Sequence, residues 1–219
     1  MGTFLRSRHG IDHEAGFMQG AGRIVIADLD DVAYTYPTDL HGILVFAAGA
    51  TQFDVVDPWE EVGFTKTGIN ITRNNAEETF DVDQVQADIK RRPSNWEMSI
   101  GTQLAESTLE TFQTAWELGP ITVIPPVPVG PPIKLGERHV GLSAPTTYRE
   151  KAVAVLYQFE SGLVRGVIFR RCIRAAQESG YTLQKTGEQV SLPTRWNALA
   201  DSEAPVDSQF GEIFEQVAA

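Results

Sequence analysis

Residues 94–104 of the chain read SNWEMSIGTQL. Apolar and polar side chains alternate along this stretch, and such a period of two is typical of a β-strand with one buried face. The apolar face carries Trp96, Met98, Ile100 and Leu104, and the polar face carries Asn95, Glu97, Ser99 and Gln103. The stretch therefore predicts a long strand whose polar face holds no cation.

The segment that follows, about 107–118, predicts the one helix of the chain. Leu109, Phe112 and Trp116 recur at helical spacing, and a Gly-Pro pair ends the pattern. Ser107 is the expected N-cap, with Glu110 completing a capping box. We expect the helix to pack on the apolar face of the preceding strand. The predicted helix–sheet core consists of Trp96, Met98, Ile100, Leu109, Phe112 and Trp116.

Strand patterns with turn signals between them dominate the rest of the chain. They lie at 23–28, 43–48, 69–72, 80–82, 152–160, 163–175, 181–184 and 189–192. Residues 121–133 are rich in proline and predict an extended loop or sheet edge. We therefore expect a mainly β fold, a β-sandwich or barrel with one flanking α-helix and an extended N-terminal arm. It forms a single domain: an arm and first strands at 1–50, a core at 51–201 and a C-terminal tail at 202–219.

Composition excludes several classes of protein. The 219 residues carry 18 Lys and Arg against 29 Asp and Glu, a formal charge of −11, which excludes a protein that coats nucleic acid non-specifically. The single cysteine, Cys172, excludes a disulfide framework and is expected to be a buried structural thiol. No apolar run is long enough to span a bilayer, and no signal peptide is evident, so we expect a soluble protein in a reducing compartment.

One short motif favours an enzyme. Residues 24–32, IVIADLDDV, resemble the first motif of haloacid-dehalogenase-type phosphatases. In that interpretation Asp28 attacks phosphorus, Asp30 acts as acid and base, and Mg²⁺ neutralises the charge. That fold needs alternating strands and helices, however, and the rest of the chain offers one helix. The simpler interpretation is a strand that runs into an acidic surface turn.

Cations cluster in two places. Lys90, Arg91 and Arg92 predict a basic loop between strands. A second group follows one strand and consists of Arg165, Arg170, Arg171 and Arg174. On so acidic a chain, these groups suit acidic patches of another subunit better than nucleic acid.

The order of these features resembles the major tail protein, or tail tube protein, of long-tailed, siphovirus-like bacteriophages. The similar segments are WEEVGFT at 59–65, GINIT at 68–72, FDVDQ at 80–84, WEMSI at 96–100 and LETFQTAW at 109–116. Towards the C-terminus, LVRGVIF at 163–169, VSLPT at 190–194 and WNALAD at 196–201 are similar to the closing strands of that family. The resemblance covers roughly residues 58–201.

The resemblance implies a virion structural protein and not an enzyme, with no cofactor and no metal. Copies form hexameric rings whose inner strands join into one β-barrel, and the rings stack into a hollow tube through which DNA reaches the host. The implied partners are other copies, the tape measure protein and phage DNA in the lumen, and the tail terminator and distal tail proteins at the ends, with no membrane. The implied location is the phage tail, assembled in the host cytoplasm. Rival interpretations within assembly are a tail terminator and the inner tube of a contractile tail or secretion machine.

Two surfaces follow from that resemblance. The polar face of Asn95, Glu97, Ser99 and Gln103 is expected to line the lumen, where a surface without cations would let DNA pass, although plain solvent is an equal alternative. The second surface is a bipolar inter-ring loop of Asp81, Asp83, Asp88, Lys90, Arg91 and Arg92. Reversing Arg91 and Arg92 to Glu is expected to leave a folded protein that polymerises poorly.

Overall fold

The computed structural model describes residues 22–46, 53–63, 65–82, 85–105, 108–126, 136–142, 147–159, 162–175 and 191–217. At residues 67, 78–82 and 85–93 it describes the backbone. Several predicted features lie outside the described residues. These are the N-terminal arm as far as 21, most of the proline-rich stretch, the strand at 181–184, Asp83 and Ser107.

The described residues form twelve strands and one α-helix. The strands before the helix are β1 (Arg23–Asp28), β2 (Leu44–Phe46), β3 (Phe53–Val55), β4 (Glu60–Glu61), β5 (Thr65–Val82) and β6 (Val85–Leu104). The helix is α1 (Leu109–Trp116). The strands after it are β7 (Thr122–Ile124), β8 (Glu137–His139), β9 (Lys151–Gln158), β10 (Val164–Arg174), β11 (Leu192–Leu199) and β12 (Gly211–Glu215). A short 3₁₀ turn spans Leu40–Gly42.

A large antiparallel sheet contains most of these strands. Its order is β4-β1-β9-β10-β11-β6-β5, and β12 also pairs with β10. The sheet curls into a half-barrel, which confirms the predicted mainly β fold with one helix. Two separate ribbons, β2–β3 and β7–β8, complete the strands that the structure describes.

The first and the last strands of the described residues both take part in the large sheet. β1 lies between β4 and β9, so the first described segment belongs to the same sheet as the predicted core. β12 pairs with β10 from Arg165–Glu215 to Phe169–Gly211, so the C-terminal tail is a docked strand. β9 and β10 form a hairpin closed at Gly162, whose φ of 82° suits glycine.

The middle of the sheet is buried on both faces. One face packs against α1. We call the core on this face the first core; it includes Ile24, Ile100, Leu104, Ala115 and Val153. The opposite face packs under β2, β3 and the segment before them. We call the core on that face the second core; it includes Leu44, Phe53 and Trp59. The central strands β1 and β9 therefore carry continuous apolar runs, as doubly covered strands do.

The helix begins one residue later than its capping pattern predicts. Thr108 is the N-cap, because its Oγ1 accepts the backbone N–H of Thr111 at 3.1 Å. The last residue of the helix is Trp116, and its C-cap is Glu117, which adopts the left-handed conformation with φ 51°. Ala115 is fully buried, and the rings of Phe112 and Trp116 meet edge to face at 5.2 Å where they pack against the first core. The helix thus covers the sheet face that its sequence pattern indicates.

Candidate assembly surface

The longest structural feature is the hairpin formed by β5 and β6. Its ladder runs from Thr65 opposite Leu104 to Val82 opposite Val85. β11 pairs with β6 only between Met98 and Leu104. Within the described residues, the half of the hairpin beyond Met98 therefore has no third strand beside it. We call this half, residues 74–82 and 85–97, the free hairpin.

The predicted inter-ring residues lie on the free hairpin, but they do not form a loop at 90–93. Asp81 is in β5, whereas Asp88, Lys90, Arg91 and Arg92 are in β6, and the last three of these pair with the β5 backbone. The ladder extends instead as far as the pair of Val82 and Val85. Pro93 can stand in β6 because a strand without a second neighbour needs no N–H on that side.

The predicted lumen face is a mixed surface. Asn95 and Glu97 are exposed and Gln103 is half-buried, but Ser99 is buried, and the Arg195 guanidinium donates a hydrogen bond to its Oγ at 2.9 Å. Asn197 of β11 lies opposite Ser99 in the ladder. The residues around Glu97, Ser99 and Arg195 line an open groove of about 490 Å³. This face therefore does hold a cation, which the pattern of one strand could not show.

The predicted helix–sheet core is largely in place. Ile100 is fully buried, and Met98, Phe112 and Trp116 pack against the same core, whereas Leu109 is half-buried and outside it. Trp96 was expected in this core, but it is 39% exposed and makes no part of it.

Trp96 lies beyond the end of the core on its face. The ladder is regular from Trp96 to Ile100, so Trp96, Met98 and Ile100 share a face, but β11 stops pairing with β6 at Met98. A β-bulge follows directly: Asn75 lies opposite Trp96, but the next pair is Ala76 opposite Ser94, so Asn95 is an extra residue in β6. Asn95 has φ 48°, the left-handed conformation that asparagine tolerates better than most residues. The Arg73 guanidinium lies 4.3 Å from the centre of the Trp96 ring.

The two outer strands of the large sheet differ greatly in length. β4 has two residues, whereas β5 has 18. β5 ends the order of strands in the described part of the chain, so one side of its ladder has no partner there. Its described exposed side chains are mostly polar and include Asn70, Arg73 and Asn74. An edge this long is a template for pairing with another strand.

Three arginines of β10 form ion pairs within the chain, which the prediction of sites for another subunit did not include. Their ion pairs lie within the chain: Arg165 with Glu215 at 2.7 Å, Arg170 with Glu212 at 2.6 Å and Arg171 with Glu150 at 2.7 Å. Two of these three carboxylates come from β12, so the arginines hold the C-terminal strand in the sheet. The sequence of β10 alone does not show which acids pair with its arginines, because Glu212 and Glu215 come from a distant segment of the chain.

The fourth arginine of β10 lies beside the end of α1. Burial lowers the pKa of Arg174, and the charge of Glu117 acts in the opposite direction. Burial likewise raises the pKa of Glu117, while the charge of Arg174 lowers it. Arg174 therefore also has its electrostatic partner within the chain.

A polar cavity of about 290 Å³ separates the β10 arginines from two surface loops. Tyr34 and Tyr36 line it, and their hydroxyl groups are buried without a hydrogen-bond partner. Burial raises the pKa of Tyr36 to about 12, while the Arg170 guanidinium, 3.6 Å from its ring centre, lowers it. A polar cavity of this size can hold ordered water that satisfies both hydroxyl groups.

The acidic motif at the end of β1 has the surroundings of a surface turn. Asp28 forms an ion pair with Lys151 at 2.9 Å, and Asp31 accepts the backbone N–H of Ala33 at 2.8 Å. The described residues contain no group of three or more His, Cys, Asp or Glu that could hold a metal ion. The sheet is antiparallel, so it lacks the parallel strand–helix units on which the phosphatase alternative depends.

Two further sequence expectations can be placed. Cys172 is fully buried in the first core, and burial raises the pKa of its thiol, as expected for a structural cysteine. Among the described residues, none of the helical segments has both the length and the apolar character needed to cross a membrane.

Neither the models of known protein families nor the curated proteins contain a match to this chain.

Proposed function

We propose that this chain is the repeating subunit of a phage tail tube, which forms hexameric rings that stack into a hollow tube for DNA delivery. The observation that carries the proposal is the β5–β6 hairpin, since it offers long strand edges for which the described chain holds no partner. The mainly β half-barrel and the order of the sequence motifs support the same proposal. It needs no reaction and no cofactor.

The hairpin has the geometry that ring closure requires. The outer edge of β5 and the free part of β6 lie on opposite sides of the same hairpin. If β5 of one copy pairs with the free part of β6 of the next, the contact is head to tail. Such a contact closes into a ring when its rotation divides the circle evenly. Closing the ring also removes the exposed edges, which otherwise cause uncontrolled aggregation.

The charge of the subunit suits a passage for DNA. A channel must let the phosphate backbone move, so it should not offer many free cations. The chain has a formal charge of −11, and its β10 arginines pair with carboxylates of the same chain. On the proposed lumen face Glu97 is exposed, while Arg195 is engaged with Ser99. The exposed carboxylate of Glu97 offsets this one guanidinium, so we expect the face to hold DNA only weakly.

The experiment that tests this proposal places lysines on the β5 edge. Asn70 and Asn74 are both exposed on β5, and the double variant Asn70→Lys, Asn74→Lys should block strand pairing. The matched control is Thr122→Lys, Ile124→Lys, which places two lysines at exposed positions of the separate ribbon β7. Sedimentation velocity would follow assembly, and circular dichroism would confirm that both variants fold.

We expect the wild-type protein and the β7 control to assemble at high concentration, and the β5 variant to remain monomeric. Single rings without filaments would favour the tail terminator alternative over a tube subunit. Equal assembly by both double variants would contradict the edge-pairing mechanism. Absence of any assembly by the wild-type protein over the whole concentration range would contradict the proposed function.

A further inference from the structure

We infer that Trp96 and Arg73, at the base of the free hairpin, form the anchoring contact for a second copy of this chain. This inference rests on the proposed function, because it names the surface through which neighbouring copies would meet. The two residues share one face of the β5–β6 ladder, beside the bulge at Asn95. We call this pair the bulge anchor.

Trp96 differs from the other tryptophans of the chain. Trp59 and Trp196 are buried, and Trp116 packs against the first core. Trp96 is 39% exposed, even though the alternating pattern of its strand would direct it into the core. The neighbouring Asn95 has the left-handed conformation, and such backbone strain persists where the surrounding structure imposes it, often at functional sites.

Arg73 supplies an unneutralised charge at the same place. It is exposed, and no ion pair is recorded for it within the described residues, in contrast to Arg23, Arg138 and the three paired arginines of β10. Its guanidinium stacks on the Trp96 ring, which holds both side chains in place. A free cation on a chain of charge −11 points to an acidic partner surface.

A second copy provides that surface. Two loops of the chain line the same polar cavity and therefore lie side by side. One carries Asp30 and Asp31 next to the fully exposed Val32, and the other carries Glu203 and Asp207 around the exposed Val206. These loops combine carboxylates that form no ion pair within the described residues, which suit Arg73, with apolar side chains for Trp96.

The position of the bulge anchor supports the same partner. It lies where the free hairpin leaves the sheet, so it adjoins the strand edges that the proposed ring would pair. Tryptophan and arginine are also the residues most enriched among those that dominate protein–protein binding energy. A copy that docks on the hairpin would cover Trp96 without any rearrangement of the buried core.

The experiment compares Trp96→Ala and Arg73→Glu with the control Arg149→Glu. Arg149 is also exposed and has no ion pair within the described residues, so the two charge reversals alter net charge equally. Self-association of the purified full chain would be measured by sedimentation velocity. Acrylamide quenching of tryptophan fluorescence would be measured in the monomer and in the assembled state.

We expect Trp96→Ala and Arg73→Glu each to raise the dissociation constant of self-association by about 30-fold or more, as loss of a dominant contact does. Arg149→Glu should change it less than about threefold. Quenching should detect one accessible tryptophan in the monomer, absent from Trp96→Ala, and assembly should protect it.

Three results separate this inference from the proposed function. If hollow tubes form while Trp96 stays accessible to acrylamide and Trp96→Ala assembles normally, the bulge anchor is refuted and the proposed function stands. If the wild-type protein forms only closed dimers in which Trp96 is protected, the bulge anchor stands and the tube is refuted. A protein that stays monomeric at every concentration overturns both.

Discussion

Replacing Gly211 with alanine should detach the C-terminal strand from the sheet. Gly211 has φ 145°, a conformation that L-residues rarely adopt, and a Cβ at this position would lie 1.9 Å from the backbone oxygen of Ile168. The clash involves backbone on both sides, so β12 must move away from β10. The positive φ alone costs about 1–3 kcal/mol.

The total cost is limited by what docking of β12 contributes. Undocking removes the Arg165–Glu215 and Arg170–Glu212 ion pairs, which are partly exposed and contribute about 0.2–1 kcal/mol each. It also exposes Phe214, which packs against the second core and contributes about 1–2 kcal/mol when half-buried. Gly211→Ala should therefore lower the free energy of unfolding by about 3 kcal/mol.

The matched control is Gly162→Ala. Gly162 also has positive φ, at 82°, but a Cβ there would meet no atom within 4 Å. Gly162→Ala should lower the free energy of unfolding by only about 1 kcal/mol, because only the backbone conformation becomes less favourable. Urea denaturation would give both values, and hydrogen exchange would report on the amides of residues 212–215. Equal losses of stability in the two variants, with those amides still protected, would refute the reasoning.

Three further predictions follow from single positions. Leu104→Ala should lower the free energy of unfolding by about 2–5 kcal/mol, because Leu104 is fully buried, whereas Leu142→Ala at an exposed position should change it by less than about 0.5 kcal/mol. Urea titrations of both variants check this, and similar losses would contradict the assigned core. Asn95→Gly should leave the free energy of unfolding unchanged, whereas Asn95→Val should lower it by about 1–2 kcal/mol, because valine disfavours positive φ. Thermal denaturation checks this, and a less stable glycine variant than valine variant would contradict the bulge. Burial raises the pKa of Glu117, so the folded state holds its proton more tightly than the unfolded state does. Raising the pH through and above the ordinary carboxyl range should therefore destabilise the wild-type protein relative to Glu117→Gln, and a constant difference between the two proteins from pH 4 to pH 7 would disprove this.

The fold class could be predicted because local patterns determine it. Alternation at 94–104 and helical spacing at Leu109, Phe112 and Trp116 are properties of neighbouring residues, and the structure confirms both elements. The hairpin between β9 and β10 was likewise marked by its glycine turn. Boundaries were less accurate, since β11 begins at Leu192, where the predicted strand ended.

The features that the sequence did not reveal depend on distant segments. Arg195 reaches Ser99 because β11 pairs with β6, and the β10 arginines meet acids of β12. Neither partner lies near its arginine in the sequence. Alternation places Trp96 on the same face as Ile100, and the structure agrees, but the core on that face does not extend to Trp96 because β11 pairs with β6 only as far as Met98. The pattern of a single strand cannot show how far its neighbour reaches.

The most direct test of the tube proposal is electron microscopy of the purified full-length chain at increasing concentration. We predict rings with an open centre that stack into hollow filaments, in which all subunits contact their neighbours through the β5–β6 hairpin. Featureless monomers at every concentration, with a single sedimenting species, would contradict it.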